Sequence, residues 1–213
     1  MEKNFCKRWA GESACCLTLD EWRERFAQWI DQGSPRDLLN ASIYFDFRAL
    51  AGDVLLASAL RQEVMQRARA TPRFLMQMAL NALTRNAPLN WRGAVDTDEH
   101  GTVDLKLQGT AIFVDAARIY SLAHGIDHTN TRRRLEAVGP LMNLAATEYG
   151  AWVGGFEFLQ VLRLRIQLES QVLPDGPNRI MVATLNDIDR RILRESFRVA
   201  RQLQQRLQLD YKR

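Results

Sequence analysis

Asp104, Lys106, Asp115 and Arg118 bring four ionisable side chains into one short stretch that is otherwise rich in apolar residues such as Val103, Leu105, Phe113 and Val114. Residues 103–110 read as an extended segment with a glycine turn at Gly109, and a helix follows through Asp115 and Arg118. A strand's two-residue period puts Asp104 and Lys106 on one face. A three-residue separation makes Asp115 and Arg118 neighbours on one helix face. Charges gathered in this way either hold an anionic ligand or brace the turn with ion pairs, and spacing alone favours the brace.

Further along, Glu157, Gln160, Arg163, Gln167 and Gln171 recur at intervals of three and four, a polar stripe on a helix whose other faces are apolar. Lining a groove, Arg163 would take an anion and Gln167 would add a hydrogen bond; facing water, the stripe is an ordinary solvated seam. Arg118 and His124 have the R-x5-H spacing of helical ribonucleases of the HEPN class, in which the pair serves a ribose hydroxyl and its phosphate. The polar residue expected directly after the arginine is replaced by Ile119. Two-metal nucleotidyl transfer needs a carboxylate pair shortly after a Gly-Ser turn. Gly33-Ser34 leads only to Asp46-Phe47-Arg48, with one carboxylate, while Asp96-Thr97-Asp98 has the pair but no such turn before it. No complete catalytic signature is present, nor a P-loop, a nucleophile elbow or a dinucleotide fingerprint.

Composition narrows the class. The 213 residues suit one large domain or two small ones, with 46% hydrophobic and 25% charged residues. No apolar run reaches the roughly 18 residues that span a bilayer, and the first residues lack the apolar core of a signal peptide. A cytoplasmic protein with no membrane partner is therefore expected. Cys6, Cys15 and Cys16 form neither a disulfide framework nor a zinc pattern, and no metal is expected. Four of the 29 basic residues are lysines, so arginine dominates; 25 acidic residues are interleaved with them, and no basic tract marks a nucleic-acid surface.

The elements that must position these groups are helical. Thr18 and Glu21 form a capping box before the stripe Trp22, Phe26, Trp29 and Ile30. Pro35 opens a second helix, Asp53 caps a third and Pro72 starts a fourth. Residues 93–95 and 102–105, flanking Asp98-Glu99-His100-Gly101, predict a small β-hairpin near 93–106. Helices follow over 110–124, from Thr129 or Asn130 to a break at Gly139-Pro140, over about 141–173, and from Asn186 or Asp187 onward. The expected fold is an all-α bundle of about seven helices with a long, largely buried central helix.

Three segments carry a resemblance: residues 39–53, residues 103–118 with Asp104, Lys106 and Gly109, and residues 156–167, with the terminal helix ending in Asp210-Tyr211. Together they resemble the bacterial nucleotidyltransferase substrate-binding domain family, over roughly 18–211. The resemblance implies a non-catalytic helical domain that ends a longer signalling protein. Residues 1–17 would then be a leader out of an absent transferase domain, and 18–213 the substrate-binding domain. It implies upstream partners: a cyclic-nucleotide-binding-like module, CBS domains and a transferase domain similar to nitrogen-regulatory uridylyltransferases. Magnesium and an NTP would come with that transferase domain, leaving no cofactor in this chain, and the acceptor would be a protein or a small molecule. Lys106, Arg118 and Arg163 would contact phosphate or acceptor, with Gln167 beside them. Asp104 and Asp115 would orient these groups, and Asp46 with Arg48 would be a second pair. A signal-relay module without ligand and the HEPN-like ribonuclease remain the alternatives, and a homodimer is among the expected assemblies.

Overall fold

A computed structural model describes residues 16–168 and 176–211. Among these, eight α-helices accompany one two-stranded antiparallel sheet. Contacts divide the chain into two compact units, Met1–Phe74 and Leu75–Arg213. Cys6, Cys15, Gln171 and the expected continuation of the long helix over 169–173 lie outside the described residues.

In the first unit, α1 (Leu19–Gln32) opens on the expected capping box. The Thr18 hydroxyl accepts from the Glu21 amide at 3.3 Å, and the Thr18 amide donates to Glu21 Oε2 at 2.7 Å. The helix stops at Gly33, whose φ of 60° suits a residue without Cβ. Ser34 caps α2 (Pro35–Tyr44) with Asp37, and Asp53 caps α3 (Val54–Arg69). Aromatic packing joins these helices: the Phe26 and Trp29 rings lie 5.2 Å apart, as do Trp29 and Tyr44. Arg23 reaches from α1 to Glu63 on α3 through two 2.7 Å bonds. The unit boundary falls within α4 (Pro72–Ala82).

The second unit is built on α5 (Ala111–His124), α6 (Thr131–Leu141), α7 (Ala146–Leu168) and α8 (Asp187–Tyr211). Its core holds Phe113, Ile119, Leu135, Leu159, Leu193, Phe197 and Leu203, each all but inaccessible to water. Helices α7 and α8 run antiparallel and close: a Cβ at Gly155 would lie 3.2 Å from Phe113 and 3.6 Å from the Ser196 backbone. Helix α6 runs through Gly139 and Pro140 to Leu141, where a break was expected. Gly139 is there for clearance, since a Cβ would sit 2.4 Å from the Tyr149 ring. The long helix starts at Ala146, after Asn143 turns at φ 55°, rather than at Leu141. Its last two turns are not buried on every side, because Val161, Leu164 and Leu168 are all more than half exposed.

The small β element exists, but its strands are not local. Strand β1 (Thr102–Asp104) pairs with β2 (Arg179–Met181), Val103 opposite Ile180, instead of with residues 93–95. Asn90 causes the difference. Its side-chain oxygen accepts from the Arg92 and Ala94 amides, which folds residues 93–95 back onto 88–90, and Leu89 bridges Val95. With their ladder bonds spent there, residues 93–95 cannot serve β1. A second departure follows β1. Lys106 is not in the strand, because the Asp104 carboxylate captures the Lys106 and Leu107 amides, both at 2.8 Å, and starts a π-helical turn, Lys106–Thr110. Gly109 is therefore helical rather than a chain reversal. It is small because Leu159 and Phe197 would lie 3.2 and 3.4 Å from a Cβ.

Candidate functional site

The charged residues singled out by spacing separate into two groups in the second unit. Asp115, on α5, accepts from Arg85 Nη1 at 2.9 Å and from Arg118 Nη1 at 3.2 Å. Arg118 is only 7% exposed, so this cluster ties the loop after α4 to α5 and keeps its guanidinium from a dissolved ligand. The same burial removes the basis of the ribonuclease reading, which needs Arg118 and His124 accessible together. The other group surrounds α7. Arg163 donates to Asn178 Oδ1 at 2.9 and 3.2 Å and to Gln160 Oε1 at 2.6 Å, and Gln167 approaches the same Asn178 oxygen at 3.4 Å. All these acceptors are neutral, and burial pushes the Arg163 guanidinium below its ordinary pKa while the nearby Asp104 charge opposes the shift. Lys106 is exposed, with no ion pair to a described residue. In the first unit, Asp46 is half-buried in the turn after α2 and Arg48 is exposed.

A cleft of about 680 Å³ opens beside β1, between the loop after α4 and α8. Its chemistry comes mainly from Asp96, Gln108, Arg179, Arg201, Gln205 and Gln208. Gln204 anchors one wall: its Oε1 accepts from the buried Ala87 amide at 3.1 Å, and its Nε2 donates to the Arg85 carbonyl at 2.5 Å. Arg201 clamps the next part of the loop by donating to the Leu89 and Asn90 carbonyls. On the opposite side the Asp104 amide donates to Gln108 Oε1 at 2.9 Å, so the residue that starts the π-turn also fixes a side chain of the cleft.

Asp98 is fully engaged. It accepts from the Thr102 hydroxyl at 2.6 Å, from the Thr102 and His100 amides at 2.8 and 3.0 Å, and from Arg179. Chiefly through the Thr102 bonds, its pKa is held down at about 2. A carboxylate already bound to four donors does not complete a two-metal pair with Asp96. The donor set of this cleft does not fit the metal centre of nucleotidyl transfer. Among the described residues no group of three or more His, Cys, Asp or Glu is placed to hold a metal ion.

Sequence reasoning missed Arg201, Gln204, Gln205 and Gln208. Arg201, Gln205 and Gln208 lie on the polar side of an amphipathic helix, which carries amides and an arginine where a solvated face more often mixes charges of both signs, while Gln204 is an amide on the buried side beside Leu203 and Leu207. What makes them a site is the loop of residues 85–98, brought against them from far away in sequence.

Among the described residues no helix is long and apolar enough to cross a membrane. In comparison with known proteins, the family described as "Putative nucleotidyltransferase substrate binding domain" matches residues 72–211, nearly coincident with the second unit. The chain belongs to this family. Residues 39–53, which carried part of the resemblance, lie outside the matched span. No curated protein and no solved structure matches the chain.

Proposed function

We propose that the second unit is the non-catalytic recognition module of a nucleotidyltransferase, and that its cleft binds the acceptor or the nucleotide. One observation carries this reading. The wall beside α8 is held rigid by Gln204 and Arg201, while the amides of Gln205 and Gln208 stand on the same helix, exposed and without a bond to a described residue. Fixed walls with spare donors and acceptors give orientation and selectivity, and a volume of about 680 Å³ suits a nucleotide-sized ligand or a peptide segment. Transfer itself belongs to a separate, uridylyltransferase-like domain of a bacterial signalling protein in the cytoplasm, which brings the magnesium ions and the NTP and stands downstream of CBS or cyclic-nucleotide-binding-like sensors. Asp104 acts in this scheme as a positioning residue through Gln108. Lys106, Arg163 and Gln167 form the flank on the other side of the π-turn, while Asp115 and Arg118 tie the loop after α4 to α5.

The test is a thermal-shift screen of the chain against nucleoside triphosphates and candidate acceptor proteins. A ligand at one hundred times its Kd stabilises by about 2.7 kcal/mol, a shift of several degrees for a chain of this size. The Gln205→Ala/Gln208→Ala variant removes the shift, whereas Lys106→Ala and Arg163→Ala reduce it only if the flank also touches ligand. A screen silent for every nucleotide and acceptor, with or without the transferase domain, defeats the proposal.

A specific observation favours a second reading, a signal-relay module. Val161, Leu164 and Leu168 share one face of α7 and Ile188 and Ile192 one face of α8, all of them exposed, and the 2.7 Å Arg165–Asp189 bridge joins the two helices along this length. The occupant of that face would be the transferase domain, and Leu164→Lys would then weaken docking without touching the cleft.

A further inference from the structure

A second cavity, of about 480 Å³, lies along the first two turns of α8. Asp187, Arg190, Arg191 and Arg194 supply its charged lining, and Ala94, Val95 and Val182 its apolar part. The charged four follow i, i+3, i+4, i+7, so a single helix face presents them. Their internal accounts leave cationic capacity over. The Asp187 carboxylate is 3.3 Å from Arg190, which also donates to the Leu185 carbonyl at 2.9 Å. Arg194 stands 3.7 Å from Glu195, which Arg198 holds more closely at 2.9 Å. Arg191 has no hydrogen bond or ion pair with a described residue. Three guanidinium groups thus share the cavity with one carboxylate, and that carboxylate is already paired.

We propose that this cavity is a phosphate site, taking the phosphate chain of a small phosphorylated molecule. Guanidinium forks match phosphate oxygens two at a time, which ammonium groups cannot do, and the apolar residues give the rest of such a ligand somewhere to lie. The same face of α8 continues through Arg201, Gln205 and Gln208 into the larger cleft beside β1. The loop carrying Leu89, Ala94, Val95 and Asp96 contributes to both cavities and divides them. Arg194 and Arg201 are seven residues apart, about 10 Å along the axis, so the two cavities can be filled independently. This inference does not rest on the cleft binding anything.

Isothermal titration of the whole chain at low and moderate salt provides the test, with inorganic triphosphate, a nucleoside triphosphate, ribose 5-phosphate and an uncharged nucleoside as probes. Both triphosphates bind, with affinity falling as salt rises, and the uncharged nucleoside does not. A preference for the nucleoside triphosphate over inorganic triphosphate identifies a nucleotide, and a preference for ribose 5-phosphate a sugar phosphate. Arg191→Gln and Arg194→Gln each weaken the binding of inorganic triphosphate about tenfold, and the Gln205→Ala/Gln208→Ala variant, which alters only the larger cleft, leaves inorganic triphosphate binding unchanged. Because Arg191 holds nothing in the fold, Arg191→Gln alone keeps the parent melting temperature and carries the test if the double variant does not. Absence of binding by inorganic triphosphate overturns the proposal, as does inorganic triphosphate binding that survives Arg191→Gln/Arg194→Gln or is lost with the glutamine pair instead; nucleoside triphosphate binding lost only with the glutamine pair belongs to the larger cleft.

Discussion

Replacing Gln204 by methionine keeps the volume of a side chain that is only 9% exposed while deleting both hydrogen bonds that hold the loop after α4. The Ala87 amide loses its acceptor and the Arg85 carbonyl its donor. Ala87 is buried, and water cannot simply take over there. A net hydrogen bond is worth about 1 kcal/mol and an orphaned buried group costs about 1–3 kcal/mol, whereas a volume-matched apolar swap adds little of its own. The expected loss is about 2–4 kcal/mol, or a fall of roughly 10 °C in melting temperature for a chain of this size. Urea unfolding measures it as a lower midpoint at unchanged slope. Hydrogen exchange localises it, because the Ala87 amide loses protection before the core of α5 does. Gln205→Met, one position on and exposed, is the control and shifts stability by less than about 0.5 kcal/mol. Ligand binding in the cleft weakens with Gln204→Met because the wall moves. A variant within about 1 kcal/mol of the parent, with its Ala87 amide still protected, would refute the role of Gln204 as the anchor of the wall.

The turn at residues 98–102 is acid-sensitive. The folded Asp98 pKa of about 2 lies below the ordinary carboxylate value, so its stabilisation is present above about pH 4 and is lost as the pH falls towards 2; urea midpoints through that window drop more steeply for the parent than for Asp98→Asn. Two helical glycines respond oppositely to alanine. Gly154→Ala meets nothing within 4 Å and raises stability by about 0.5–1 kcal/mol, while Gly139→Ala collides with Tyr149 at 2.4 Å and lowers it by about 1–3 kcal/mol despite the better propensity, as denaturant titration will show. Tyr120→Phe removes a 2.8 Å bond to Asp210, and because Asp210 is partly open to water the cost is about 1 kcal/mol, read as a lower melting temperature.

Much of the architecture was legible because it is written locally. The Thr18–Glu21 box, the Asp53 cap, the Asn130 cap and the stop at Gly125 each involve residues within one turn of one another, and all appear where spacing put them. Some readings failed on a local side-chain bond, as where Asp104 and Asn90 redirect the chain within four residues, and others where a residue's partner lies beyond the local turn. Gly109 and Gly139 look like chain breakers in sequence, yet both are helical and small because Leu159 and Tyr149 press on them. Thr102–Asp104 is a strand, as expected, but its partner is 77 residues away. Pairing with residues 93–95 failed because Asn90 had already folded them elsewhere.

The charged motifs divide in the same manner. Spacing correctly made Asp115 and Arg118 neighbours, but only Arg85, reaching across from another segment, turned them into a buried brace. The sequence by itself determined the capped helix ends at Thr18, Asp53, Asn130 and Gly125, the amphipathic faces and family membership, because caps, periods and motifs act over a few residues. Tertiary structure alone decided which polar face became a cavity. The seam of α8 reads as solvated from 187 to 208, and it encloses space only because the loop of residues 85–98 is clamped onto it by Gln204 and Arg201. That clamp joins groups more than a hundred residues apart, a contact that no local pattern encodes.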